Sequence, residues 1–230
     1  MKLVLGCSYT DTDGSIWHDH LFDEPFRVFA KGGVDNAWIT RTGFHVLAER
    51  KKYNYDSVFV LFTGLNRTSI AIPSDVEEDF YYSFPLGYDY GPYADVHLVQ
   101  SGGPVGLWNE EYFGAGRSLF KNIYASETKN FFSQLNMYHI IMFLNYLEAQ
   151  KIPYKYTFAY DITKDYPKEQ SFGLCTDYID QLNREHYIPV TPYEFALKQK
   201  NGFRDDNFHL TDECQISWAD EVKKYLSNKD

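Results

Sequence analysis

The chain is poor in the features that mark the common binding classes. It has no run of Lys or Arg long enough to make a basic stripe, and 22 basic residues stand against 32 acidic ones, a formal net charge of −10 over 230 residues. A large nucleic-acid footprint needs a basic stripe, so this balance argues against a nucleic-acid partner. Cysteine is scarce: Cys7, Cys175 and Cys214 lie far apart, with no C-x-x-C pair. An odd count without such spacing argues against a disulfide framework or a zinc site. The three thiols are read as reduced, in a cytosol-like compartment. No apolar run approaches the ~20 residues of a membrane span. The first residues carry neither an apolar core segment nor a small-residue cleavage site, so no secretory signal is read and the expected location is cytoplasmic. Internal repeats and low-complexity tails are also missing.

What is present is enough apolar material for a core and an excess of aromatic rings. The hydrophobic fraction is 44%, with 20 Tyr and 18 Phe. One domain over 1–230 suits this length. Residues 3–5 (LVL) read as a first strand, 26–30 (FRVFA) as a second, and 57–62 (SVFVLF) as a third, buried on both faces. Residues 154–160 (YKYTFAY) follow Pro153 as another strand. Helical spacing runs from 36 to about 51, with Trp38, Ile39, Val46 and Leu47 inward. It returns over 127–150, with Phe131, Leu135, Ile140, Phe143, Leu144 and Leu147 inward. A last helix starts at Thr211 or Asp212 and runs to about 226, with Ile216, Trp218, Val222 and Tyr225 inward. Strands alternating with helices predict an α/β fold with a parallel sheet.

The stretch from about 67 to 125 breaks that rhythm. It is rich in Gly, Pro and aromatics, with Tyr81, Tyr82, Tyr88, Tyr90, Tyr93 and Trp108. It reads as a long aromatic insertion after the third strand. Because it leaves a strand end, it is expected to lie over the active edge.

Four short blocks fall at strand ends or near the C-terminus: Gly6-Cys7-Ser8, Gly32-Gly33-Val34-Asp35-Asn36, Thr63-Gly64-Leu65-Asn66-Arg67 and Asp206-Asn207-Phe208-His209. Open α/β sheets bind ligands at the carboxyl ends of their strands. A Ser delivered there by the first strand, with a late carboxylate three residues before an imidazole, suggests a nucleophile, an orienting acid and a base. Taken singly, each block has an ordinary reading: a strand-end cap for Ser8, a plain turn for Gly32-Gly33, a helix cap for Asn66, a surface turn for Asp206 and His209. Cys7 is a second candidate nucleophile.

In chain order the four blocks resemble the SGNH (GDSL-type) hydrolase superfamily, over nearly the whole chain from Ser8 to His209. The texture is similar to SGNH-like proteins of tailed phages, with the G-x-S-[FY]-T start, the G-G-x-x-N block, and a long middle helix before an I-P-Y-x-[FY]-T strand. The resemblance implies a three-layer α/β/α sandwich with a flavodoxin-like parallel sheet. It implies Ser8 as nucleophile, with its own N–H, the Gly33 N–H and the Asn66 side chain as oxyanion donors. His209 would be the base and Asp206 its orienting acid. It implies no metal or organic cofactor. The implied substrate is a small-molecule or carbohydrate ester, most plausibly a carbohydrate O-acetyl group, with Arg67, Tyr90, Tyr93 and Trp108 as candidate binding residues.

Two positions depart from the family pattern. Cys7 stands where the family usually has Asp, and Arg67 where it often has Asp. Arg67 could meet an anionic substrate, which leaves phosphoester chemistry as a further reading. An inactive SGNH-fold binding or structural subunit is the main alternative, with a second copy or a virion as the assembly partner and a virion-associated location if the protein is phage-encoded. His18 and His20 flank Asp19 like half a metal site and are read as a solvated loop; His45, His139 and His186 receive no role.

Overall fold

The computed structural model describes residues 1–7, 9–10, 16–30, 34–49, 54–65, 69–73, 96–100, 129–164, 178–204 and 209–227. Six strands lie among them: β1 (Lys2–Gly6), β2 (Phe26–Ala30), β3 (Ser57–Phe62), β4 (Ser69–Pro73), β5 (Val96–Gln100) and β6 (Tyr154–Phe158). β4 and β5 pair antiparallel as a separate two-stranded sheet; most of the expected insertion lies outside the described residues. The other four form a parallel sheet in the order β2-β1-β3-β6. Leu3, Val4 and Leu5 of β1 and every residue from Val58 to Phe62 of β3 are buried. Burial of each such side chain is worth roughly 1.5–3 kcal/mol, and a central parallel strand needs apolar residues on both its faces.

The helices are α1 (Trp17–Leu21), α2 (Asn36–Ala48), α3 (Lys129–Ala149), α4 (Pro192–Ala196) and α5 (Asp212–Ser227). α2 packs on α3, and α1 on α5. Gly43 of α2 lets the first pair close on the sheet. A Cβ there would lie 2.4 Å from the Phe143 ring and 2.8 Å from Leu5 Cδ1. The second pair meets β3 through Trp17, whose ring centroid lies 5.4 Å from Phe59 and 5.1 Å from Trp218. Among the described residues, no helix is long and apolar enough to cross a membrane.

Helix ends follow the chain's local chemistry. Asp35 caps α2, its carboxylate accepting the Trp38 N–H at 2.8 Å. At the other end of α3, Ile152 N–H reaches Leu147 O at 2.9 Å and Lys151 N–H reaches Glu148 O at 2.9 Å. Those are the two bonds of a Schellman cap. Its left-handed residue is Lys151, with φ 53°, where glycine is the usual choice.

Several inward assignments need correction. Leu135 and Tyr225 are exposed, at 38% and 36%; the buried stripe of α5 runs through Cys214, Gln215, Trp218, Ala219 and Val222. Phe131 lies in α3, but its side chain falls outside what is described. His18 is not in a solvated loop. It sits in α1, 4% exposed, with its ring between Trp17 at 5.5 Å and Phe26 at 5.4 Å. Neither ring nitrogen has a hydrogen-bond partner; the Asp19 carboxylate lies 3.6 Å from Nδ1. A five-residue helix is too short to show its periodicity in the sequence.

Two predictions arise. Lys151→Gly relieves the left-handed strain and should raise stability by about 1 kcal/mol, read from urea unfolding; a loss of stability would contradict the cap. Burial pushes the His18 pKa below its ordinary 6.5, against a smaller opposing pull from Asp19. The unfolded chain then binds the extra proton first, so the stability from neutral His18 is complete above about pH 6.5 and is lost as pH falls through the folded-state value. His139, also lowered by burial, acts in the same direction. His18→Phe should flatten the fall in stability between pH 7 and 5. An unchanged slope would mean that His18 is not the titrating group.

Candidate functional site

The carboxyl edge of the sheet gathers the chain segments on which the four blocks sit. In the order 2-1-3, the chain leaves β1 toward β2 and returns past β1 to β3. The crevice between the carboxyl ends of β1 and β3 is therefore the switch point where such sheets bind ligands. Of the sequence-derived site residues, His209 is described. Ser8, Gly33, Asn66, Arg67, Tyr90, Tyr93, Trp108 and Asp206 lie outside the described residues, as do Tyr81, Tyr82 and Tyr88. Their immediate neighbours carry the geometry.

After β1, Thr10 N–H donates back to Cys7 O at 2.8 Å, a tight turn across positions 7–10. The Thr10 side chain folds over the strand end. A Cβ on Gly6 would lie 2.1 Å from Thr10 Oγ1 and 2.5 Å from Thr10 Cβ, which no side chain can meet. Trp17 Nε1 donates to Tyr9 O at 2.6 Å within the core and anchors the far side of the turn. Cys7, the second candidate nucleophile, is free and fully buried.

His209 reaches this turn from the other end of the chain. Phe203 and Leu210 form an antiparallel bridge, and Arg204 N–H donates to His209 O at 2.8 Å. A short hairpin thus presents His209 just before α5. A run of rings holds the hairpin to the sheet edge. Phe203 lies 5.4 Å from Tyr193, Tyr193 5.3 Å from Tyr160, and Tyr160 5.7 Å from Tyr9. Tyr9 in turn lies 6.1 Å from the His209 imidazole. Each such contact adds ~0.5–1.5 kcal/mol beyond burial for an aromatic pair. Glu194 braces the same edge. It accepts the Asp161 N–H at 3.1 Å beyond β6 and the Thr191 hydroxyl at the start of α4. Burial raises its pKa.

The second and third blocks meet through two amides that the sequence reading did not single out for a role. Asn36 Oδ1 accepts the Thr63 N–H at 2.8 Å, and Asn36 Nδ2 donates to Thr63 O at 3.2 Å. Asn136, from α3, accepts the Asn36 N–H at 3.1 Å and donates Nδ2 to Leu65 O at 2.9 Å. Both side chains are buried. In sequence Asn136 stands between Leu135 and Met137, but α3 also carries Ser133, Gln134, His139 and Asn145, so no pattern marked it out. Cys214 is also buried, its thiol pushed up to about 11, which makes it a poor nucleophile.

A scan against protein-family models finds no match to this chain, and a search of curated proteins finds none either.

If the Thr10 side chain is what requires Gly6, Gly6→Ala should cost about 1–3 kcal/mol of stability, as overpacking does. Adding Thr10→Gly to that variant should restore part of the loss. Strictly additive effects in the double-mutant cycle would refute the contact.

Proposed function

We propose that the chain is a serine esterase of the SGNH type, built as a three-layer α/β/α sandwich, and that it removes O-acetyl groups from carbohydrate. The layering rests on register. Val4 pairs beside Phe59 and Leu5 beside Val60, and successive strand residues point to opposite faces. Leu5 meets the α2–α3 pair and Phe59 meets α1, so one helix pair covers each face.

The observation that carries the activity is the contact of Tyr9 with the His209 ring at the end of β1, 6.1 Å between centroids. Ser8 is the residue before Tyr9, and adjacent Cα atoms are only ~3.8 Å apart. The late imidazole is therefore brought to the strand end that carries the serine, though two hundred residues separate them in sequence.

In this mechanism Ser8 Oγ attacks the ester carbonyl carbon while His209 takes its proton. Charge moves to the carbonyl oxygen, where the Ser8 and Gly33 N–H groups and the Asn66 amide stabilise it. Each such donor is worth roughly 3–4 kcal/mol. The C–O bond to the alcohol breaks as His209 protonates the leaving oxygen. Water, deprotonated by His209, then cleaves the acyl-Ser8 ester and frees the acid. Asp206 orients the imidazole and stabilises its charged form. The aromatic residues Tyr90, Tyr93 and Trp108 offer ring faces to a sugar, and Arg67 offers a guanidinium to an anionic group on it.

Purified protein should hydrolyse short aryl acetates and release acetate from acetylated polysaccharide. Ser8→Ala should lower kcat by roughly 10⁴–10⁶-fold while leaving the thermal midpoint within a few degrees. Absence of hydrolysis on both substrate types, or equal rates in the variant, would defeat the reading and favour a binding or structural subunit.

A further inference from the structure

We propose that Asn136 is a positioning residue for this acyl transfer, working through Asn36 and the backbone at Thr63–Leu65; the proposal rests on the esterase reading. Four buried hydrogen bonds link the pieces in a closed path. Thr63 uses both of its backbone groups on the Asn36 amide, at 2.8 and 3.2 Å. The Asn36 N–H, an orphan donor in the first turn of α2, goes to Asn136 Oδ1 at 3.1 Å. Asn136 Nδ2 closes the path on Leu65 O at 2.9 Å.

The path has a direction. The Leu65 carbonyl belongs to the planar peptide unit that ends at the N and Cα of residue 66. Holding that oxygen sets the plane on which the chain enters Asn66, the side-chain oxyanion donor. Asn36 follows Gly33, the second donor, by three residues. One rigid amide pair therefore spans the approaches to two of the three donors.

Packing alone does not call for this arrangement. α2 and α3 already meet through Gly43, Phe143 and Phe44, whose ring lies 5.1 Å from Phe143. An apolar residue at 136 would pack there without desolvating an amide, and a buried amide is costly unless its bonds are made. The Asn amide can accept from one backbone group and donate to another at once.

The test compares Asn136→Asp and Asn136→Leu with Ser133→Ala, a buried position on the same helix one turn earlier. Asn136→Asp keeps the volume and the acceptor for Asn36 but loses the donor to Leu65 O. Both Asn136 variants should lose about 10²-fold in kcat on an aryl acetate, the scale of a misplaced catalytic group, with KM within about threefold. The pH–rate profile of Asn136→Leu, which adds no ionisable group, should keep its wild-type midpoints at a lower plateau, because His209 is untouched. Ser133→Ala should keep wild-type kcat. Unchanged kcat per folded enzyme in both Asn136 variants, with a lowered thermal midpoint, would make the pair a structural clamp and overturn the proposal. Shifted pH midpoints in Asn136→Leu would overturn it too, by moving the effect to the base. If neither Asn136 variant folds, Asn36→Asp, which keeps the acceptor for Thr63 N–H and loses the donor to Thr63 O, decides by the same readouts. Wild-type protein without Ser8-dependent hydrolysis fails the esterase reading itself, and the positioning role falls with it.

Discussion

The central strands end before their backbone needs do. β3 is apolar and buried from Val58 to Phe62, so none of those side chains can satisfy the peptide groups just past its last paired residue. Phe62 O still finds Ala159 N–H, at 2.6 Å. One residue further, at Thr63, no described strand continues the ladder, and the Asn36 amide replaces it. Buried backbone groups must be paired, and this requirement ties the start of α2 to the end of β3. It also recruits α3, since Asn136 serves both the α2 terminus and Leu65. The geometry of the carboxyl edge depends on that substitution of side-chain amide for strand.

The other half of the edge is held by rings. From Phe203 through Tyr193 and Tyr160 to Tyr9, the contacts follow one another at 5.3–5.7 Å. They fasten a hairpin near the C-terminus to the turn after the first strand. The two halves differ in physical character. Directional amide bonds control the backbone planes at Thr63–Leu65. Aromatic packing is less directional, and here it fastens the segment that carries His209 to Tyr9.

Much of the α/β framework was legible because it depends on local pattern. SVFVLF reads as a doubly covered strand from composition alone, and β3 spans those six residues. FRVFA is likewise β2. The helices α3 and α5 were legible from periodicity, although the exposed Leu135 in α3 and Tyr225 in α5 show that periodicity places an inward stripe only approximately. α1 and α4 were not legible, since five residues complete little more than one turn. Of the candidate site, His209 and the segments flanking Ser8, Gly33 and Asn66 were legible as strand-end chemistry. Asn36 was visible only as the start of a helix, and Asn136 only as one of several polar residues in α3.

The sequence by itself determined the four strands of the parallel sheet, the long helices, the acidic charge balance and which residue types stand at each strand end, because these are set by composition or by neighbours a few residues away. Tertiary structure alone decided that β1 lies between β2 and β3, that Tyr9 meets His209, and that Asn136 bonds to Asn36 across 100 residues. Those pairings come from burial and from unmet backbone groups in distant segments, and a donor left unsatisfied at one position carries no mark of where its acceptor will come from.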